Sequence, residues 1–128
     1  MYNIVIGATK YGEMIIDMLM EKEKLVIALD KKESFKRIEN KKIFKIEVNI
    51  DNVKLVEGEI GNQEIESIYI ATDDDRLNLM LGEHLSSYNN VNVILSEEKM
   101  LELAEGKYKA ICPVTLVKDF ILRGIKEC

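Results

Sequence analysis

The stretch Gly7-Ala8-Thr9-Lys10-Tyr11-Gly12 follows directly on the apolar run Tyr2–Ile6. A glycine straight after a buried strand makes a tight turn, and a glycine at the sixth position lets the first helix pack closely on the sheet. The backbone N–H groups of about Thr9 to Gly12 would then face an anion at the helix N-terminus. Asp30 closes the second apolar run, Leu25–Leu29. A carboxylate at that strand end can accept hydrogen bonds from a ribose diol. The full phosphate-binding signature, G-x-G-x-x-G with an acid about 20 residues on, is met at two of its three glycines and at the acid. Thr9 stands in the middle position. Its Cβ and methyl would crowd a pyrophosphate, while its hydroxyl offers a phosphate a hydrogen bond.

Other residues offer weaker chemistry. His84, the one histidine, falls on the apolar side of its helix with no paired acid or nucleophile near it in sequence, so a structural role is expected. Asp73-Asp74-Asp75 lacks the alternating carboxylates of a calcium loop, and acids suit a helix N-terminus, so no metal is expected there. Met14, Met18, Met20 and Met80 read as core filler. Cys112 reads as a buried, inert thiol. No leader precedes the first strand, so Cys112 and Cys128 are expected to be free thiols in a reducing cytosol.

The 128 residues suit one domain with one core. With 47% apolar and 32% charged residues, the composition is that of a globular protein. The net charge of −5 supplies no global field for nucleic acid or anionic lipid. No apolar run approaches the roughly 18 residues of a membrane span, so no direct membrane insertion is expected.

The elements that must position these residues alternate between β-branched runs and helical stretches. Strands are expected at Tyr2–Ile6, Leu25–Leu29, Ser67–Ala71, Val91–Leu95 and Lys109–Cys112. Helical spacing marks Glu13–Lys24, a short helix Phe35–Asn40 with Ser34 as a weak cap, and a helix opened by Thr72-Asp73-Asp74-Asp75 with Leu77, Met80, Leu81 and Leu85 on its apolar face. A further helix runs from Ser96 to about Ala104 and stops at Gly106. The last has Pro113 at its first position. Residues 43–60 fork. They form either a hairpin, Ile43–Val48 with Val53–Val56, or a strand Ile43–Val48 followed by a helix capped at Asp51 or Asn52 and ended by Gly61. The second keeps the βα alternation, because parallel strands need a crossover of about a dozen residues. Six strands in this rhythm imply an α/β fold: a doubly wound, mostly parallel, six-stranded Rossmann-like sheet with helices on both faces.

The segments "IVIGATKYG", "LVIALDKK", "IATDDDRLNL" and "AICPVTLVKDFILRGI", in this order and spacing, resemble the regulator-of-K⁺-conductance (RCK) or TrkA N-terminal domains. The resemblance spans essentially residues 1–128. It implies a cytoplasmic, Rossmann-like domain that dimerises, binds NAD(H), ATP, ADP, AMP or a related nucleotide, and gates a potassium channel or transporter rather than catalysing a reaction. Carried over by position, Gly7, Ala8, Lys10, Tyr11 and Gly12 form the phosphate loop. Asp30 holds the adenosine ribose, Lys31 meets a phosphate, and Ala71, Thr72 and Asp73 line the far side of the cleft. Three departures stand out. Thr9 replaces the middle glycine. Asn49-Ile50 stands where the family has Gly-Asp after the third strand, with Asp51 one place late. A second ligand-binding lobe after the last helix is missing, so the expected partner is a separate membrane subunit, unless the chain is a fragment.

The last helix, 113–128, carries Val114, Val117, Ile121 and Ile125 on one stripe and Leu116 and Phe120 on another beside it. An apolar arc this wide needs two packing partners. One stripe is expected to cover the chain's own sheet and the other to meet a second copy across a two-fold axis. Three functions follow as expectations: a nucleotide-sensing regulatory domain of a potassium uptake or channel system, a degenerate Rossmann module that only dimerises or docks, or a small NAD(P)-dependent oxidoreductase with His84 as its acid–base group.

Overall fold

The computed structural model describes residues 1–104 and 106–125. Six strands form one sheet: β1 (Tyr2–Ile6), β2 (Leu25–Asp30), β3 (Phe44–Glu47), β4 (Ile65–Ile70), β5 (Val91–Ile94) and β6 (Lys109–Ile111). Four α-helices accompany them: α1 (Lys10–Glu21), α2 (Val53–Ile60), α3 (Asp75–His84) and α4 (Pro113–Gly124). The strand order is β3-β2-β1-β4-β5-β6, and every pairing is parallel. The order reverses between β1 and β4, so the crevice of a doubly wound sheet opens above those two strand ends.

Residues 4–6 of β1 and 25–29 of β2 read as continuous apolar runs because both faces of the sheet are covered there. Ile4, Ile6, Leu29, Ile68 and Ile70 face α2 and α3, meeting Val56, Ile60, Leu77, Leu81 and Leu85. Val5, Val26 and Ala28 face the other way and meet Ile15 and Ile16 of α1. The period of two in β1 splits the sequence between two half-cores.

Residues 43–60 take the strand-and-helix course. The Asn52 side chain caps α2 by accepting from the Leu55 N–H, and Gly61 ends it in right-handed geometry. Helix α1 begins three residues earlier than its apolar spacing indicated, because Thr9 caps it. Met14 and Met18 are exposed rather than core filler. Gly12, Ile15 and Ile16 are the residues α1 buries. Met80 is exposed as well, whereas Met20 packs half-buried on the α1 side. Two expected α-helices are 3₁₀ segments, Lys32–Ile38 and Glu98–Ala104. Ser34 lies inside the first and caps nothing. Ser96 precedes the second and binds the Asp75 carboxylate instead.

Helix α4 departs most from expectation. It buries none of its residues. Leu116, Val117, Phe120, Ile121, Leu122 and Ile125 are all more than half exposed, Phe120 reaching 78%. The stripe expected to cover the chain's own sheet does not do so. Its side-chain bonds to the body lie in the first two turns, where Thr115 and Lys118 donate to Glu98. Of the 113–128 segment, residues 126–128, including Cys128, lie outside the described residues.

Candidate functional site

Gly7 leaves β1 at φ +106°, a backbone conformation that L side chains rarely adopt. A Cβ there would stand 2.5 Å from the Ala71 carbonyl oxygen. A Cβ on Gly12 would stand 1.9 Å from the Gly7 carbonyl oxygen. Both glycines are thus fixed by backbone meeting backbone, one at the β1–β4 boundary and one where α1 folds back on the turn.

Thr9 works inside this loop. Its Oγ1 accepts from the Gly12 N–H at 3.2 Å and donates to the Ala71 carbonyl at 2.6 Å. The hydroxyl has one proton, and that proton is committed to β4. The offer of a donor to a phosphate therefore lapses. The Ala8 N–H is taken by the Asp30 carboxylate at 2.7 Å. The amides of Thr9, Lys10 and Tyr11 have no partner among the described residues. They form the first turn of a twelve-residue helix and present its positive end.

Asp30 is 5% exposed and turned toward the loop, as the sequence reading requires. Its second oxygen accepts from the Lys31 N–H at 2.7 Å. The carboxylate thus braces the turn, with a remaining lone pair on each oxygen. Lys31 extends past it to Asp51, at 2.6 Å, and this bonded carboxylate raises the Lys31 pKa above its ordinary value. Asp51, displaced by one from the family position, is a lysine partner. Ile50 takes the place beside the cleft and brings an apolar surface.

The cleft has a volume of about 450 Å³, within the range of small-molecule sites. Of the expected residues, Ala8, Thr9, Lys10, Asp30, Lys31, Thr72 and Asp73 line it. Gly7, Gly12 and Ala71 shape it from behind, and Tyr11 turns away to pack half-buried on the α1 core. Ser34, Lys36 and Arg37 of the first 3₁₀ segment also line it, and sequence reasoning missed them. The only available signal was a basic run after an acid-tipped strand, which reads equally as solvated surface. A second hollow, of about 440 Å³, lies at the opposite ends of β2 and β3 beside Met20 and Lys24, away from every strand C-terminus.

The far wall is held by Asn78, another residue that the sequence did not flag. It is 1% exposed. Its Oδ1 accepts from the Thr72 N–H and hydroxyl, and its Nδ2 donates to the Thr72 and Ile94 carbonyls. The acidic triplet separates into distinct tasks. Asp74 caps α3, Asp75 holds Ser96 and Glu97, and Asp73 faces the cleft. No group of three metal-binding side chains occurs among the described residues. His84 sits half-exposed at the end of α3, 3.1 Å from Glu57, and does not line the cleft.

An all-parallel doubly wound sheet, with a glycine turn at its switch point and an acid at the next strand tip, defines the Rossmann-like nucleotide-binding class. The chain belongs to the TrkA-N domain family, whose sequence model matches residues 3–111. Among curated protein sequences, none matches. Solved structures share the fold. The NAD(P)-binding domain of an exopolyphosphatase-related protein from Archaeoglobus fulgidus is 23% identical, with 98% of each chain covered and a TM-score of 0.76. The TrkA-N domain of the inner membrane protein YbaL from Escherichia coli is 5% identical, with 98% and 96% covered and a TM-score of 0.71. The Kef CTD of Shewanella denitrificans, solved in an AMP-bound form, is 14% identical, with 98% and 83% covered and a TM-score of 0.67.

Proposed function

We propose that this domain senses an adenine nucleotide, NAD(H) or ATP, ADP or AMP, and regulates a potassium uptake or channel system from the cytoplasm as a dimer joined through α4. The observation that carries the reading is the pair of amides at Thr9 and Lys10, without a partner among the described residues, on residues that line a cleft shared with Asp30. Supporting it, one similar structure is named an NAD(P)-binding domain and another was solved in an AMP-bound form. The apolar surface of Leu116, Val117, Phe120, Ile121 and Ile125 fits a second copy of the same helix. The ligand acts through its differential affinity for two arrangements of the pair. Its role is regulatory rather than catalytic, and the output is a separate membrane transport subunit.

Isothermal titration with NADH, ATP and ADP tests the ligand. Millimolar or tighter binding of at least one is expected, and silence from all three refutes it. Light scattering tests the assembly: the native chain elutes as a dimer and Phe120→Glu as a monomer. A second reading, a docking module with no ligand, is favoured by the engagement of Thr9 and Asp30 in bracing the loop itself. The same titration separates the two.

A further inference from the structure

The geometry points to Thr9 as a specificity-determining residue that closes the dinucleotide path, so that the cleft takes an adenine mononucleotide rather than NAD(H). This inference rests on the nucleotide-sensing reading above and narrows its ligand. In a doubly wound sheet a dinucleotide crosses the switch point: one nucleoside lies over β1 and β2, the other over β4, and the pyrophosphate passes over the middle glycine of the loop. Here the switch point lies between β1 and β4. The Thr9 side chain spans it. Its hydroxyl is bonded on one side to Gly12 and on the other to the carbonyl of Ala71, directly beyond β4. A methyl and a bonded hydroxyl thus stand where a second phosphate would approach the backbone.

The cations of the cleft lie on one side of the same line, in the company of the carboxylates of Asp30 and Glu33. The cations of the cleft, Lys10, Lys31, Lys36 and Arg37, all come from the loop and from the β2 side. Lys31 is paired with Asp51, and Arg37 lies 3.7 Å from Glu13. The ammonium groups of Lys10 and Lys36 have no partner among the described residues. The β4 side contributes Thr72, already bonded to Asn78, and the carboxylate of Asp73. A mononucleotide keeps its terminal phosphate charge on the cationic side, at the α1 amides. In NADH that phosphate is joined to a second one by an anhydride bond, carries one charge fewer, and leads the second phosphate and ribose toward the Thr9 bridge and Asp73.

Isothermal titration of the native chain with AMP and NADH, repeated on Thr9→Gly and Thr9→Ser, tests this. AMP is expected to bind at least tenfold more tightly than NADH. Thr9→Gly removes the bridge, and glycine is a tolerable helix cap, so the preference should shrink at least tenfold. Thr9→Ser keeps both hydrogen bonds and should keep the preference. Equal or tighter NADH binding by the native chain overturns the inference while leaving nucleotide sensing in place. Loss of the preference in Thr9→Ser overturns the bridge as its cause. No binding of either nucleotide overturns this inference and, with ATP and ADP silent as well, the sensing reading. Circular dichroism checks that Thr9→Gly is folded; if it is not, the native comparison and Thr9→Ser decide.

Discussion

Replacing Asp30 with alanine should cost the fold about 3 kcal/mol. The carboxylate is 5% exposed and accepts two backbone N–H bonds at 2.7 Å, from Ala8 and Lys31. Hydrogen bonds to a charged acceptor contribute about 1.5–3 kcal/mol each. Ala8 is itself 5% exposed, so its N–H would lose its acceptor and face little water, whereas Lys31 is half-buried and its N–H recovers part of the loss by hydration. The sum of one full and one partial bond gives the figure of about 3 kcal/mol. For a domain of this size that is a fall in melting temperature of about 10 °C. Asp30→Asn keeps one acceptor oxygen and turns an NH₂ toward the other amide, so about 1.5–2 kcal/mol is expected. Urea unfolding followed by circular dichroism reads both. A change below about 0.5 kcal/mol in Asp30→Ala would refute the view that this acid holds the turn, and would return it to a ligand group only.

Asn78→Ala removes four hydrogen bonds from the wall behind Thr72 and should destabilise by about 2–4 kcal/mol, read by the same unfolding assay. Leu81→Ala, in the fully buried face of α3, should cost about 2–5 kcal/mol. Gly12→Ala should abolish folding or leave the N-terminus of α1 displaced, seen as lost amide protection, because the new methyl meets the Gly7 carbonyl. Glu98 is held below the ordinary carboxylate range by its bonds from Lys118 and Thr115. Its contribution is present above the ordinary carboxylate pKa and lost as pH falls through the lowered folded value. Glu98→Gln should therefore narrow the stability difference between pH 7 and pH 3, measured by thermal unfolding at both.

The layout of the sheet was legible in the sequence because parallel strands buried on both faces are written as unbroken apolar runs, and β1 and β2 are such runs. The turn at Gly7 and the brace at Asp30 were legible because backbone collisions leave few residue types free to stand there. The short elements were less so. Lys32–Ile38 and Glu98–Ala104 carry apolar residues at spacings that both 3.6 and 3.0 residues per turn accommodate over seven positions, so their 3₁₀ character was hidden. The methionines misled because Met14/Met18 and Ile15/Leu19 form neighbouring stripes at the same helical spacing, and periodicity does not say which of the two the sheet covers. Asn78 was silent, since a polar residue within an apolar helical pattern gives no hint that it binds Thr72, six residues back, and Ile94, sixteen residues on. Helix α4 was legible as doubly apolar, but which of its faces the chain would cover depends on where the helix leaves the body, and periodicity carries no such direction.

Twelve residues is near the shortest length at which a helix in water holds together unaided, and α4 takes almost no support from the body it leaves. Paired with a second copy, as proposed, it would gain the packing it lacks, and its helicity would rise with protein concentration. Far-ultraviolet ellipticity should weaken on dilution while the sheet stays intact, making the end of this chain a gauge of its own abundance.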